Sequence, residues 1–398
     1  MKKIAFIHEA YPLGGAERVT SLVAGYLSGD FEIFLFVGQL NEEILGEQDR
    51  RDIRFLQLPD SDFQSEANAA YVAERIRELG IECLIIPVTP PKHLKYIREH
   101  VDCPIVFHHH SMPLWEVQNK LIVSEARVRR SGSWPKLLEW YLLRKPKEQL
   151  LGLYTRKYGR QYRFVYRNTD RFVVLCEEYA RQIERLVGAG RTDSKVRVMT
   201  NPLVAPDAYD PDKRKEVLFV GRMTYADKRA DRLLDIWARI EPEFPDWELK
   251  MVGDGTEREL LEAQARRLGL SRVRFCGYAA DPSEHYRTAA ILCMTSTFEG
   301  WGLVLAEAQA AGVVPMAFGC SAGVREILGD DGSAGVVVPP FDMARYASEL
   351  AALMRDGERR RTMQESMRRK IEAYSLARIG RRWVDLLEEI GISSQNAR

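Results

Sequence analysis

Ser296-Thr297-Phe298-Glu299-Gly300-Trp301-Gly302-Leu303-Val304-Leu305-Ala306-Glu307-Ala308-Gln309-Ala310-Ala311-Gly312 is the stretch on which the reading of this chain turns. Before it, Ala289-Ala290-Ile291-Leu292-Cys293-Met294 is a continuous apolar run, and after it Val313-Val314-Pro315-Met316-Ala317-Phe318 is another. Runs so short and unbroken suit strands buried on both faces. Gly312 suits the position just past the end of a helix that starts near Gly302. The unit is then strand, glycine-rich turn, helix, strand. Gly300 and Gly302 leave the backbone bare at the helix start, so N–H groups and the positive end of the helix dipole converge where an anion such as a diphosphate fits. Glu299 in the turn and Glu307 in the helix would repel that anion. They suit hydrogen bonds from neutral hydroxyls, as on a ribose or a hexose. Glutamates at this spacing are also ordinary on a surface; two glycines, a tryptophan and a helix start between them favour the ligand reading.

Outward from that stretch, strands and helices alternate. Val217-Leu218-Phe219-Val220 runs into Gly221-Arg222-Met223, followed by Lys228 in a loop and a helix carrying Leu233, Leu234, Ile236 and Trp237. Leu249-Lys250-Met251-Val252 leads to Gly253-Asp254-Gly255, and Val273-Arg274-Phe275-Cys276 to Gly277-Tyr278. Arg222 and Lys228 leave the carboxyl end of a strand, so both can meet the anion at the helix start. The first half alternates likewise: Ile4 to Ile7, Ile33 to Val37, Leu84 to Val88, Ile105 to Phe107 and Phe172 to Leu175 read as strands, and Val19, Leu22, Val23, Tyr26 and Leu27 mark one helix face. This pitch predicts an α/β fold with parallel, doubly wound sheets. Pro206 to Asp212 has the proline and aspartate content of a linker between two domains.

With 398 residues the chain is long enough for two cores. A net charge of +1 gives no electrostatic case for a nucleic-acid partner. Six scattered cysteines without a C-x-x-C pair read as reduced core residues of a cytosolic protein. The apolar run Ile4 to Ile7 is too short for a secretory signal, and no other run approaches membrane-spanning length. The chain is expected to be cytoplasmic, at the inner face of the plasma membrane if it is attached peripherally. Three histidines, His108-His109-His110, end a strand and precede Ser111; neighbours on a strand point to opposite sides, so they form no metal site by themselves. One of them at a strand's carboxyl end is placed for a substrate contact, with a plain surface histidine as the alternative. Gly14-Gly15 lets a ligand approach the backbone but is not the G-x-G-x-x-G fingerprint, which argues against a nicotinamide dehydrogenase.

From about 118 to 167 the pattern changes. Arg127, Arg129, Arg130, Lys136, Arg144, Lys145, Lys147, Arg156, Lys157 and Arg160 interleave with Trp134, Leu137, Leu138, Trp140, Tyr141, Leu142 and Leu143. Cations beside tryptophan and leucine suit a helix at an anionic membrane, with contact through 127–160. A solvated helical insertion that covers its own apolar face is the equal alternative.

The second half resembles the donor-binding domain of the retaining GT-B glycosyltransferases of family 4, also called group 1 glycosyltransferases. The matching pieces are Val220-Gly221-Arg222 with Lys228, Val252 to Gly255, Phe275 to Tyr278, Phe298 to Leu303 leading to Glu307-Ala308, Gly319 to Glu326, and Gly335 to Pro340. In the first half the match rests on Gly14 to Arg18 and Asn201-Pro202. The resemblance implies two Rossmann-like domains facing each other across a cleft: 1–205 for the acceptor, including the insertion, 206–375 for the donor, and 376–398 as a helix crossing back. It implies that Arg222 and Lys228 neutralise a nucleotide diphosphate, that Glu307 accepts from ribose and Glu299 from the donor sugar, and that Gly277 and Tyr278 meet the base. Gly221, Gly300, Trp301, Gly302 and Leu303 would face phosphate and sugar, Gly14 and Gly15 the diphosphate, and His110 or His109, with Ser111, the sugar and acceptor side. No metal or other cofactor is implied. The expected activity is transfer of a hexose, from a UDP-sugar by preference, to a saccharide or lipid-linked hydroxyl in surface polysaccharide synthesis. A nucleotide-sugar epimerase and a non-catalytic nucleotide-sugar binding module are the alternatives.

Overall fold

A computed structural model describes residues 1–12, 14–190, 192–204 and 212–393. All but the last residue of the expected linker lie outside the described residues, as does the boundary at 205 and 206. The chain divides into two compact units: 1–113 with 155–202 and 374–398, and 114–154 with 203–373.

The first unit is a seven-stranded parallel sheet. Its strands are β1 (Lys2–Tyr11), β2 (Phe31–Leu40), β3 (Ile53–Gln57), β4 (Cys83–Pro87), β5 (Ile105–His109), β6 (Arg171–Val174) and β7 (Val196–Val198), ordered β3-β2-β1-β4-β5-β6-β7. Ile4 pairs with Ile33 on one side and Cys83 on the other, so β1 is central and its apolar run is covered on both faces. The strand is longer than the run Ile4 to Ile7. The helix Leu376–Glu389 belongs to this unit and packs on the helix Gly15–Leu27. Gly380 meets the Tyr26 ring so closely that a Cβ would overlap it, Trp383 is buried, and Arg171 and Arg197 both hold Glu389.

The second unit has six parallel strands, β8 (Arg214–Val220), β9 (Glu248–Val252), β10 (Val273–Gly277), β11 (Ala289–Met294), β12 (Val314–Phe318) and β13 (Val336–Val338), ordered β10-β9-β8-β11-β12-β13. Every residue of β11 and β12 is buried, as their unbroken apolar runs require. Leu233, Leu234, Ile236 and Trp237 seal one face of the sheet from the helix Ala230–Ile240, and Tyr346, Leu350 and Leu353 add to the same core. The helices Trp115–Arg130, Trp134–Glu139 and Lys145–Leu151 also belong here, the last two joined by a π-helical turn, Trp140–Arg144. Over 118–154 that differs from the expectation, which gave 118–167 to the first half, while 155–167 lies in the first unit. The reason is packing: Trp115 lies against Phe298, and Ile122, Val123, Ala126 and Arg127 share a cavity with Thr224, Tyr225 and Ala226.

Candidate functional site

In the second sheet the strand order reverses between β8 and β11. Open α/β sheets bind ligands outside the carboxyl ends of their strands at such a reversal. The segments leaving β8 and β11 are the two that carry Arg222 with Lys228 and Glu299 with Gly302. They meet. The Lys228 ammonium stands 2.7 Å from Glu299 Oε1, and the Ser296 hydroxyl donates to that oxygen at 2.7 Å. The backbone joins the same two loops, since Thr297 N–H donates to the Asp227 carbonyl at 2.7 Å. Thr295 Oγ1 donates to the Arg229 carbonyl at 2.9 Å and the Arg232 guanidinium to the Thr295 carbonyl at 3.2 Å. Burial holds Arg232 down to about 10, yet it keeps its charge at neutral pH and adds to the cationic edge. Burial, with the Glu299 carboxylate nearby, pushes the Cys320 thiol up to about 12, so Cys320 is a neutral neighbour of the pair.

The turn after Glu299 is built on close contacts. Gly302 has φ +86, a left-handed conformation that suits glycine, and it starts the helix Leu303–Ala310, which no side chain caps. Gly323, in the helix Ala322–Leu328, lies so near the Gly300 carbonyl that a Cβ would overlap it. Trp301 is buried. Glu307 accepts a hydrogen bond from the Tyr286 hydroxyl at 2.8 Å. Beside this turn the ends of β8, β9 and β10 are joined by their glycines: Gly221 N–H donates to Val252, and Gly253 N–H donates to the Gly277 carbonyl at 2.7 Å. Tyr278, just beyond, is exposed.

Arg222 departs from the expected arrangement. Its side chain is 76% exposed and lies 3.5 Å from Asp227, while Lys228 is the cation paired with Glu299. Asp227 also accepts from the Thr224 hydroxyl, which fixes its own loop. Asp227, Arg232, Tyr286 and Thr295 are residues of this site that sequence reading did not name, and Ser296 and Gly323 lie in stretches it quoted without giving them a role.

In the first unit the histidines split. His110 is half-buried and its ring lies 3.8 Å, centre to centre, from that of His108. Burial first, then His108 and His8, hold its pKa well below the ordinary value, while the Asn201 side chain works the other way. His109 is drawn into the core, a correction to its reading as an acceptor-side group. Its Nε2 bonds the Tyr162 hydroxyl at 3.1 Å and its ring sits between Phe107 and Phe172, because alternate residues of β5, here Phe107 and His109, share a side. Ser111 is half-exposed beside it. His8 shares a hydrogen bond with Thr20 at 2.9 Å, and burial holds it down to about 3. Gly14, in extended conformation, precedes the helix that begins at Gly15. Among the described residues no group of histidine, cysteine and carboxylate side chains is arranged to hold a metal ion.

The carboxyl edge of β8 and β11, with its cation, carboxylates and bare helix start, lies inside a segment with known relatives. Residues 206–370 match the glycosyl transferases group 1 family. The chain is 33% identical over 176 residues to the amylovoran biosynthesis glycosyltransferase AmsD of Erwinia amylovora, covering 44% of this chain and 48% of that protein. Over the same length it is 31% identical to an uncharacterized glycosyltransferase of Haemophilus influenzae, covering 44% and 49%. The matches thus span about half the length of these relatives. The whole chain resembles Anabaena Alr3699/HepE, solved in complex with UDP and glucose, with a TM-score of 0.72, 18% identity, and 98% and 100% of the two chains covered. The fold is that of the GT-B glycosyltransferases, with two parallel-sheet, Rossmann-like domains.

Proposed function

We propose that the chain transfers a hexose from a nucleoside diphosphate sugar, with uridine as the base, to a hydroxyl of a saccharide or lipid-linked acceptor in surface polysaccharide or glycoconjugate synthesis. The observation that carries this is the Lys228–Glu299 pair at the strand-order reversal of the group 1 segment. An ammonium has three N–H donors, so the bond to Glu299 leaves capacity for phosphate oxygens. Lys228, Arg222 and the start of the helix Leu303–Ala310 then face the charge that grows on the leaving diphosphate. Glu299 accepts from donor-sugar hydroxyls and Glu307 from the ribose. In the step, the bond from the anomeric carbon to the phosphate oxygen breaks as the acceptor oxygen bonds the same carbon. The acceptor proton passes to the departing phosphate, on the face it leaves, and the anomeric configuration is retained. Cationic side chains rather than a metal meet the diphosphate in this reading. The UDP and glucose in HepE and the name of a further relative, the lipopolysaccharide 1,6-galactosyltransferase of Salmonella typhimurium, support the choice of donor and product.

A thermal-shift screen of nucleoside diphosphates and their hexoses tests the donor. The expected result is a shift selective for uridine, followed by release of UDP that is unchanged in EDTA. An equal response to every base, or complete loss of turnover in EDTA, would overturn the donor or the metal-free reading respectively. An epimerised sugar formed without acceptor would make the chain an epimerase.

A further inference from the structure

The insertion carries an apolar stripe that is exposed among the described residues. In the continuous helical run 134–151, Trp134 is 70% exposed, Leu142 63%, Leu143 65% and Leu150 83%. Trp140 and Glu148 are buried on the opposite side. Trp134, Leu138, Leu142, Pro146 and Leu150 recur every four residues. On a regular α-helix such a repeat drifts by about 40° per step, since a turn takes ~3.6 residues. The wider π-helical turn at Trp140–Arg144 takes up that drift, so the five positions stay near one face. Contiguous exposed apolar residues of this size mark an interaction surface.

The charge beside the stripe indicates what covers it. Between 127 and 151 seven lysines and arginines stand against two glutamates. Lys136, Arg144 and Lys147 are exposed around the stripe, and Lys136 and Lys147 have no ion pair among the described residues. Long cationic side chains can rest their stems on apolar surface while the head reaches anionic groups. No helix among the described residues is long and apolar enough to cross a membrane, so the run can only lie in the plane of one. We infer that the face Trp134, Leu138, Leu142, Leu143, Leu150 docks on an anionic lipid bilayer, with Lys136, Arg144 and Lys147 at the headgroups. The helix Trp115–Arg130 that precedes this run sets Trp115 against Phe298, and the docking face and the donor motif share one compact unit.

The test is flotation of the full chain with vesicles of phosphatidylcholine alone and of phosphatidylcholine with phosphatidylglycerol. It needs no donor and no turnover, so its outcome is independent of the proposed reaction. The wild type is expected to float with the anionic vesicles and not with the neutral ones, and to be released by high salt. Replacing Leu142, Leu143 and Leu150 together by serine is expected to lower binding about ten-fold or more while thermal stability is kept, since all three are exposed. Lys136→Glu with Lys147→Glu should do the same through charge. Failure of the wild type to bind anionic vesicles, or a leucine variant that binds as tightly as wild type, overturns the inference. So does a dimer in sedimentation velocity that the leucine variant dissolves, because a second copy of the chain would then cover the stripe.

Discussion

Lys228 and Glu299 are 71 residues apart, and their pairing at 2.7 Å ties a cation to the turn. Removing the ammonium takes away a preorganised donor aimed at developing charge, which is worth about 10²–10³ in turnover. Lys228→Ala is therefore expected to lower kcat by about that factor with the far-ultraviolet circular dichroism unchanged; near-normal transfer would sink the assignment. Glu307 is different because its proposed partner, the ribose, is remote from the breaking bond. Glu307→Gln keeps an oxygen for the Tyr286 hydroxyl and removes the charge. It is expected to raise the donor KM about ten-fold with little change in kcat, the mark of a contact equal in ground and transition states. Steady-state rates at varied donor check it, and an unchanged KM counts against the ribose role. Arg222, exposed and 3.5 Å from Asp227, is held too weakly for its side chain to be placed by that contact.

At the scale of elements, the turn from Ser296 to Gly302 is held by its neighbours rather than by its own hydrogen bonds alone. The helix Ala322–Leu328 lies against it through Gly323, where a methyl group would overlap the Gly300 carbonyl oxygen. Gly323→Ala must push backbone from backbone, and overpacking of this kind costs about 1–3 kcal/mol. A lower melting temperature together with loss of the nucleotide-induced thermal shift is the expected result; retention of both would show that the turn gives way without consequence. What sequence shows of these elements depends on burial. β11 and β12 are legible because strands covered on both faces must be apolar throughout. β3 and β7 are not, because each lies at a sheet edge and is only half-buried, so no continuous apolar run marks it. The site divides in the same way. Glu299, Gly302 and Glu307 stand out as a local pattern, whereas Tyr286 reaches the site only through folding and leaves no local mark. The helical character of the insertion is plain from its composition, yet which unit it packs with depends on contacts such as Trp115 with Phe298.

At the scale of the whole molecule, buried histidines make the first unit answer to acid. His8, His108 and His109 of the first unit are held by burial to about 3, 3 and 4, against 6.5 for a free histidine. They are neutral in the fold, while the unfolded chain takes up their protons near 6.5. The stability they allow is complete above that value and is lost as pH falls from 6.5 toward 4, at up to about 1.4 kcal/mol per pH unit for each. The melting temperature of the wild type is expected to fall between about pH 7 and pH 5, and less steeply in His109→Phe; parallel slopes would show that His109 is not among the groups responsible. The first unit has a further property that concerns time rather than energy. Its sheet ends by residue 198, but the helix Leu376–Glu389, with Trp383 in its core, follows only after the whole second sheet. On a ribosome adding about 5–20 residues each second, the second unit has all its strands before the first has its final helix. The half that begins first therefore finishes last, and until then the surface that will receive Trp383 is open to solvent and to chaperones.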